Sequence, residues 1–203
     1  MRKDDVPNVV RVHLAGFQGF FLTFLGPAFL GELYKGTLID PSGIGFVAEY
    51  EEGICGFVTG TTYLSGFYKR LLRNRWWRFA LASVLPVLKR PSIIPRLLRA
   101  LSMPEKVNKK DGSGTLMSLA VLPEHQGSGI GKILVNAFFD EAMKRGCKKI
   151  FLTSDRDNND AINLFYQNLG FSIVRQYMTP EGRNMNEYWR ELVKNEMKGD
   201  EHV

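Results

Sequence analysis

Cysteine and histidine are scarce in this chain of 203 residues: two Cys, Cys55 and Cys147, and three His, His13, His125 and His202. Two cysteines make no disulfide framework. Both are expected as reduced structural thiols, Cys55 in a strand and Cys147 at the end of a helix. The histidines are scattered without metal-ligand spacing, so no metal is expected. Long apolar runs are missing as well. Phe79 to Leu88, an uncharged and largely apolar run in the middle of the chain, is ten residues and contains Pro86, against the ~20 that a membrane span requires. No charged-then-apolar leader ending in small residues opens the sequence, and a cytoplasmic protein is the expectation.

Aromatic residues are plentiful, with fourteen Phe and a hydrophobic share of 44%. That suits a packed core in one domain over 1–203. The pattern predicts helices over Asp4–Gly16 and Pro27–Lys35, with Pro27 in a first turn. A Phe-rich stretch from Phe17 to Phe24 joins them. Ile44–Tyr50 and Ile54–Thr62 read as an antiparallel hairpin turned at Glu51-Glu52-Gly53. Strand sequence returns at Thr115–Leu122, followed by a helix over Ile130–Arg145, a strand at Ile150–Thr153 and a short helix over Ala161–Leu169 closed by Gly170. Strands at Phe171–Met178 and Arg183–Trp189 follow, paired around Pro180-Glu181-Gly182. The polar tail, 194–203, is expected to fray.

One stretch carries more chemistry than the rest. After the apolar strand, Pro123 stops the ladder, and Gln126-Gly127-Ser128-Gly129-Ile130-Gly131-Lys132 leads into a helix. Glycines let backbone N–H groups converge on one concavity, and the helix N-terminus adds donors and partial positive charge. The combination suits a diphosphate. A Walker A loop fails here, because Gln126 and Ile133 occupy required Gly and Ser/Thr positions. A dinucleotide fingerprint fails because Lys132 stands at its third Gly. Gln126, Gly129 and Gly131 do fit Q-x-x-G-x-G, which resembles the acyl-coenzyme A loop of the GNAT superfamily of acyltransferases. Downstream, Asn159, Tyr166, Gly170 and Phe171 resemble that family's second signature, N-x6-Y-x3-G-F. The resemblance covers Leu116 to Tyr188 specifically. Over the N-terminal half it is a pattern of elements.

The resemblance implies an α/β fold with a mixed, mostly antiparallel central sheet of about six strands and flanking helices. It implies acetyl-coenzyme A as acyl donor, a small-molecule amine as acceptor, such as an amino sugar or an amino-acid-like compound, and direct attack in a ternary complex. Backbone near Leu119, Ala120 and Val121 would meet the thioester carbonyl. Gln126, Gly127, Ser128, Gly129, Ile130, Gly131 and Lys132 would hold the diphosphate, Asn159 the pantetheine arm, and Tyr166 would be the catalytic acid beside the sulfur. Asn159 could equally be a helix cap and Tyr166 a core aromatic. The base that takes the amine's proton is open among Glu49, Asp155 and Glu187, each of which could equally be a solvated carboxylate, and Ser118 is a candidate to face the acceptor. The Phe17–Phe24 stretch lies where this family shapes its acceptor site, or is simply core. A non-catalytic acyl-coenzyme A-binding or membrane-surface protein on the same scaffold is the competing class. Monomer and homodimer are both open.

Two departures from the family pattern matter. The family's usual first strand is missing, or lies upstream of Met1. The second departure is a helical insertion, 63–111, between the family's third and fourth strands. Tyr63 to Lys110 holds five Lys and seven Arg against one acid, Glu105, so it carries +11 while the whole chain carries +6. Tyr68–Phe79 mixes Arg with Trp76 and Trp77, and Pro95–Leu101 is of the same kind. Such segments suit basic amphipathic helices. Four readings are open: a cap with solvated charges, contact with the inner membrane leaflet or a lipid-linked acceptor, a lid over an anionic substrate, and nucleic-acid binding. No recognised nucleic-acid motif accompanies the charge, which places that reading last.

Overall fold

The computed structural model describes residues 1–51, 53–89 and 112–192. The expected amphipathic segment at Pro95–Leu101 and the polar tail lie outside the described residues. After a 3-10 turn at Lys3–Asp5, the elements run α1 (Val6–Gly16), α2 (Phe21–Phe24), α3 (Gly26–Ile39), β1 (Gly43–Tyr50), β2 (Gly53–Thr61) and α4 (Phe67–Lys89). They continue with β3 (Ser113–Val121), α5 (Ile130–Lys144), β4 (Lys149–Asp155), α6 (Asp160–Asn168), β5 (Ser172–Met178) and β6 (Asn184–Glu191). The strands form one six-stranded sheet in the order β1-β2-β3-β4-β6-β5. Every neighbouring pair is antiparallel except β3 with β4. This is the mixed, mostly antiparallel sheet expected.

Burial explains the layering. α1 turns Val9, Val10 and Val12 inward, and α3 turns Phe29, Leu30 and Leu33 inward. Together with Phe57 and Ala120 they form the core on one face of the sheet. α5 supplies Leu134, Val135, Phe138 and Ala142 to the other face, against Val58, Leu116, Ile150 and Leu152. β2 is covered on both faces, which is why its sequence is a continuous apolar run rather than an alternating one. Gly60 is needed there, because a Cβ would stand 2.1 Å from the Thr115 carbonyl and 2.6 Å from the Phe138 ring.

Two elements differ from the sequence-based expectation. The single turn α2 interrupts the Phe-rich stretch, and four residues are too few to display a helical period. α4 runs on to Lys89, ten residues beyond the aromatic-basic segment, with a break at Arg75 (φ −142°, ψ 15°). No strand precedes α1 among the described residues. The Met1 amino group instead donates to the Gly45 carbonyl of β1 at 3.2 Å.

Candidate active site

β3 and β4 pair over only three positions, Ser113–Lys149, Gly114–Ile150 and Thr115–Phe151. Beyond Thr115 they diverge and open a wedge in the middle of the sheet. A bulge on β3 assists the divergence: Thr59 pairs with Ser118 but Gly60 with Leu116, which leaves Met117 as the extra residue. The Leu122 N–H donates to the Cys55 carbonyl of β2 at 2.8 Å. Strand alternation therefore turns Ser118 and Ala120 N–H groups toward β2, and those of Leu119 and Val121 toward the wedge. A cleft of about 750 Å³ fills the wedge, lined by Leu116–Val121 and Leu152–Asp155.

The glycine loop closes one end of this cleft. Gly127 (φ +79°) and Gly129 (φ +86°) adopt left-handed backbone, and Gly129 is the N-cap of α5. Among the described residues no acceptor takes the N–H groups of Gly127, Ser128, Gly129, Ile130, Gly131 or Lys132. A Cβ on Gly127 or Gly129 would meet nothing within 4 Å. The loop is thus an open cradle of consecutive donors at a helix N-terminus, which fits a diphosphate. The Gln126 side chain is turned back to the Val121 carbonyl, 3.0 Å, and ties the loop to the end of β3. Gln126, Gly127, Gly129, Ile130, Gly131 and Lys132 all line the cleft. Ser128 is the exception: its hydroxyl caps the His125 carbonyl at 2.6 Å, so it offers only its backbone.

Asn159 and Tyr166 reach the cleft from α6 and the loop before it. The Asn159 side chain does not cap α6. Its Nδ2 donates to Ser154 Oγ (2.8 Å) and to the Asp155 carbonyl (3.0 Å), which spends both amide hydrogens and leaves Oδ1 to accept from a ligand N–H. Tyr166 is buried among Phe165, Phe171 and Tyr188. Burial, with the neighbouring Tyr188, raises its phenol far above the ordinary value. The hydroxyl is therefore protonated at neutral pH and available as a donor.

The three carboxylates separate. Glu49 and Glu187 do not line the cleft, and Glu187 accepts from Trp189 Nε1 at 3.0 Å. Asp155 lines it, but Arg183 grips both carboxylate oxygens, Nε–Oδ1 2.9 Å and Nη2–Oδ2 2.6 Å. Arg183 also lies over the Phe20 ring, 5.2 Å from guanidinium carbon to centroid, and so links the β5–β6 hairpin to the Phe-rich stretch. Sequence reasoning missed Arg183, whose role depends on a register no local pattern displays. Of the Phe-rich stretch, Phe17 and Phe20 line the cleft, while Phe21 packs against the core.

A family model described as the acetyltransferase (GNAT) family matches residues 16–171, from the end of α1 through both motifs. The chain belongs to this family. Mycothiol acetyltransferase of Renibacterium salmoninarum is 37% identical over 76 residues, covering 36% of this chain and 22% of that protein. Ribosomal protein bS18-alanine N-acetyltransferase of Escherichia coli K12 is 38% identical over 73 residues, 34% of this chain and 49% of that one. These matches thus take in less than half of each relative's length. In structure, the ribosomal-protein-S18-alanine N-acetyltransferase from Escherichia coli superposes with a TM-score of 0.58 at 17% identity, over 100% of this chain and 96% of that chain. At that identity the likeness is one of fold. Within the GNAT fold, the insertion leaves the sheet after β2 and rejoins it at β3. Among the described residues no helix is long and apolar enough to cross a membrane.

Proposed function

We propose that this GNAT chain transfers an acetyl group from acetyl-coenzyme A to the primary amine of a small molecule. The observation that carries the reading is the run of unpaired N–H groups from Gly127 to Lys132 at the mouth of a wedge whose inner edge holds Tyr166. Acetyl-coenzyme A supplies an activated acetyl thioester. The glycine loop binds its diphosphate, and Asn159 Oδ1 accepts from the pantetheine arm. The N–H groups of Leu119 and Val121 meet the negative charge that grows on the thioester oxygen during attack. Tyr166 donates its proton to the departing sulfur. Fixing the two reactants in one cleft makes the encounter effectively intramolecular, the larger part of the gain. A thiol-release screen with acetyl-coenzyme A against amino acids, polyamines, aminoglycosides and nucleotide amino sugars tests the reading. Calorimetry shows in parallel whether coenzyme A binds. Binding without turnover on any amine favours the non-catalytic acyl-coenzyme A module.

A second reading concerns α4, where one observation favours contact with an anionic membrane. Trp77, Leu81, Val84 and Leu88 recur at helical spacing and are 48%, 66%, 48% and 74% exposed. Tyr63–Lys89 contains six basic residues and no acid. Not all six face outward. Arg70 is bound to Asp40 and Arg75 to Glu32, and Arg78, which lies over the Trp77 ring, also reaches Glu32 at 3.8 Å, while Lys69 and Arg73 are exposed. An apolar stripe edged by cations matches the headgroup zone of an anionic bilayer. The chain is expected to co-sediment with phosphatidylglycerol vesicles at low salt, to leave them as salt rises, and to lose binding in Leu81→Glu. Vesicles that leave the wild-type chain in the supernatant at low salt favour the solvated cap.

A further inference from the structure

We propose that the Arg183 guanidinium receives the carboxylate of the acceptor, and that the amine acetylated here belongs to an amino acid with an apolar side chain. The inference deepens the amine-acetylation reading above and rests on it. Of the acidic and basic side chains of the described residues, four line the cleft: His125, Lys132, Asp155 and Arg183. His125 and Lys132 flank the glycine loop. Asp155 and Arg183 stand with Phe20. The helix that follows the loop, α5, packs on one face of the sheet, and α1, which leads into Phe17 and Phe20, packs on the other. The cleft thus passes through the sheet, with the donor's loop on one side and the Arg183–Phe20 pair on the other.

Arg183 is held on two sides and open on a third. Its Nε and Nη2 donate to the two oxygens of Asp155, and the Phe20 ring lies against one face of the guanidinium at 5.2 Å. Its backbone is pinned at the base of the β5–β6 hairpin, where the Thr179 N–H donates to the Arg183 carbonyl at 2.8 Å. A guanidinium carries five N–H donors in a rigid fork. Asp155 takes two along one edge. Both Nη1 hydrogens and the second on Nη2 have no acceptor among the described residues. That remaining edge matches the two oxygens of a second carboxylate. The side chain lines the cleft and is 36% exposed, so a ligand there can reach it.

The charges of the cleft select the acceptor class. Asp155 is the one carboxylate lining it among the described residues, and Arg183 occupies both its oxygens. A polyamine or an aminoglycoside would bring several positive charges to a cleft with no free carboxylate to meet them. An amino acid meets opposite charges side by side: its carboxylate takes the open edge of Arg183, and Asp155 offsets its amino group. A doubly charged phosphate in the same place would be repelled more strongly by Asp155. Phe17 and Phe20 meet edge-on at 5.6 Å and both line the cleft, which walls this end for an apolar side chain. The donor side is built on the same strand end: Asn159 Nδ2 donates to the Asp155 carbonyl at 3.0 Å. The residue that holds the pantetheine arm and the residue that holds Arg183 are thus joined at the end of β4, which fixes the amine relative to the thioester.

Thiol release with L-phenylalanine and with L-phenylalaninamide tests the anchor. The ratio of kcat/KM for the acid to that for the amide, compared between wild type and variant, cancels the intrinsic difference between the two amines. Arg183→Gln is expected to lower this ratio about tenfold or more. Asp155→Asn breaks the same ion pair but keeps the guanidinium, so its ratio is expected to stay at the wild-type value or rise. An unchanged ratio in Arg183→Gln, or an equal fall in both variants, reduces Arg183 to a staple between hairpin and Phe20 and overturns the proposal. A screen whose best acceptor is a polyamine or an aminoglycoside overturns it too. The transferase reading survives each of these results. A second measurement does not depend on turnover. In 15N-arginine-labelled chain saturated with coenzyme A, the Arg183 Nε signal, assigned by its loss in Arg183→Gln, should shift with L-phenylalanine and stay in place with L-phenylalaninamide. A signal that moves with neither, or equally with both, overturns the anchor, and failure of coenzyme A to bind sinks the transferase reading separately.

Discussion

Tyr166 and His13 are both buried titratable side chains, and they lead to different measurements. Tyr166→Phe keeps the ring in its aromatic surroundings and removes one hydroxyl. Turnover should fall about a hundredfold or more with coenzyme A affinity unchanged; turnover equal to wild type would reduce Tyr166 to a core aromatic. His13 predicts a stability profile. Its folded value is lowered to about 4 from 6.5 by burial, so above pH 6.5 both folded and unfolded states hold it neutral and nothing is lost. As pH falls from 6.5 to about 4, only the unfolded chain binds the proton, and stability drops by roughly 3 kcal/mol in total. Thermal melts across that window should show the slope in wild type and lose it in His13→Leu. Asn159 and Tyr166 could be read from the sequence because one short loop and helix fix their spacing. The His13–Tyr34 pair could not: the residues are 21 apart and meet only because α1 crosses α3. The carboxylate candidates could be proposed but not ranked, since the partner of each depends on strand register.

At the level of elements, the glycine loop is not uniform. Gly129 holds left-handed backbone, φ +86°, where alanine is strained by about 1–2 kcal/mol. Gly131 has no such conformation, and its Cβ would stand 3.4 Å from the Phe165 ring. Calorimetry should therefore find coenzyme A binding weakened about tenfold or more in Gly129→Ala, and weakened less in Gly131→Ala. The basic helix divides in the same way. Arg70 donates to both Asp40 oxygens (2.8 and 3.2 Å) and to the Ser65 carbonyl (2.9 Å), which fastens the start of the insertion to the end of α3. Arg70→Gln should cost roughly 2 kcal/mol in denaturant unfolding, whereas Arg73→Gln should cost little. Composition announced the charge of this segment and its helical character. It did not tell inward arginines from outward ones, because the break at Arg75 resets the helical phase that such a reading relies on.

The whole molecule is two packed layers of helix on a sheet that is split at its centre. The order β1-β2-β3-β4-β6-β5 places the split between the two middle strands rather than at an edge. The general plan was readable because each strand and helix carries its own period, and because both motifs sit at the joints beside β3 and β4. The divergence itself was not, since the bulge that assists it is one extra residue, Met117, which no local pattern in the strand marks. That divergence has a consequence for amide hydrogen exchange. Central strands normally hold the slowest-exchanging amides of a domain. Here the Leu119 and Val121 amides face the wedge, so they should exchange quickly with deuterated water although they sit at the heart of the sheet, while Ala120 beside them stays protected by β2. Saturating coenzyme A should slow Leu119 and Val121 selectively, turning the least protected part of the central strand into one of the most protected.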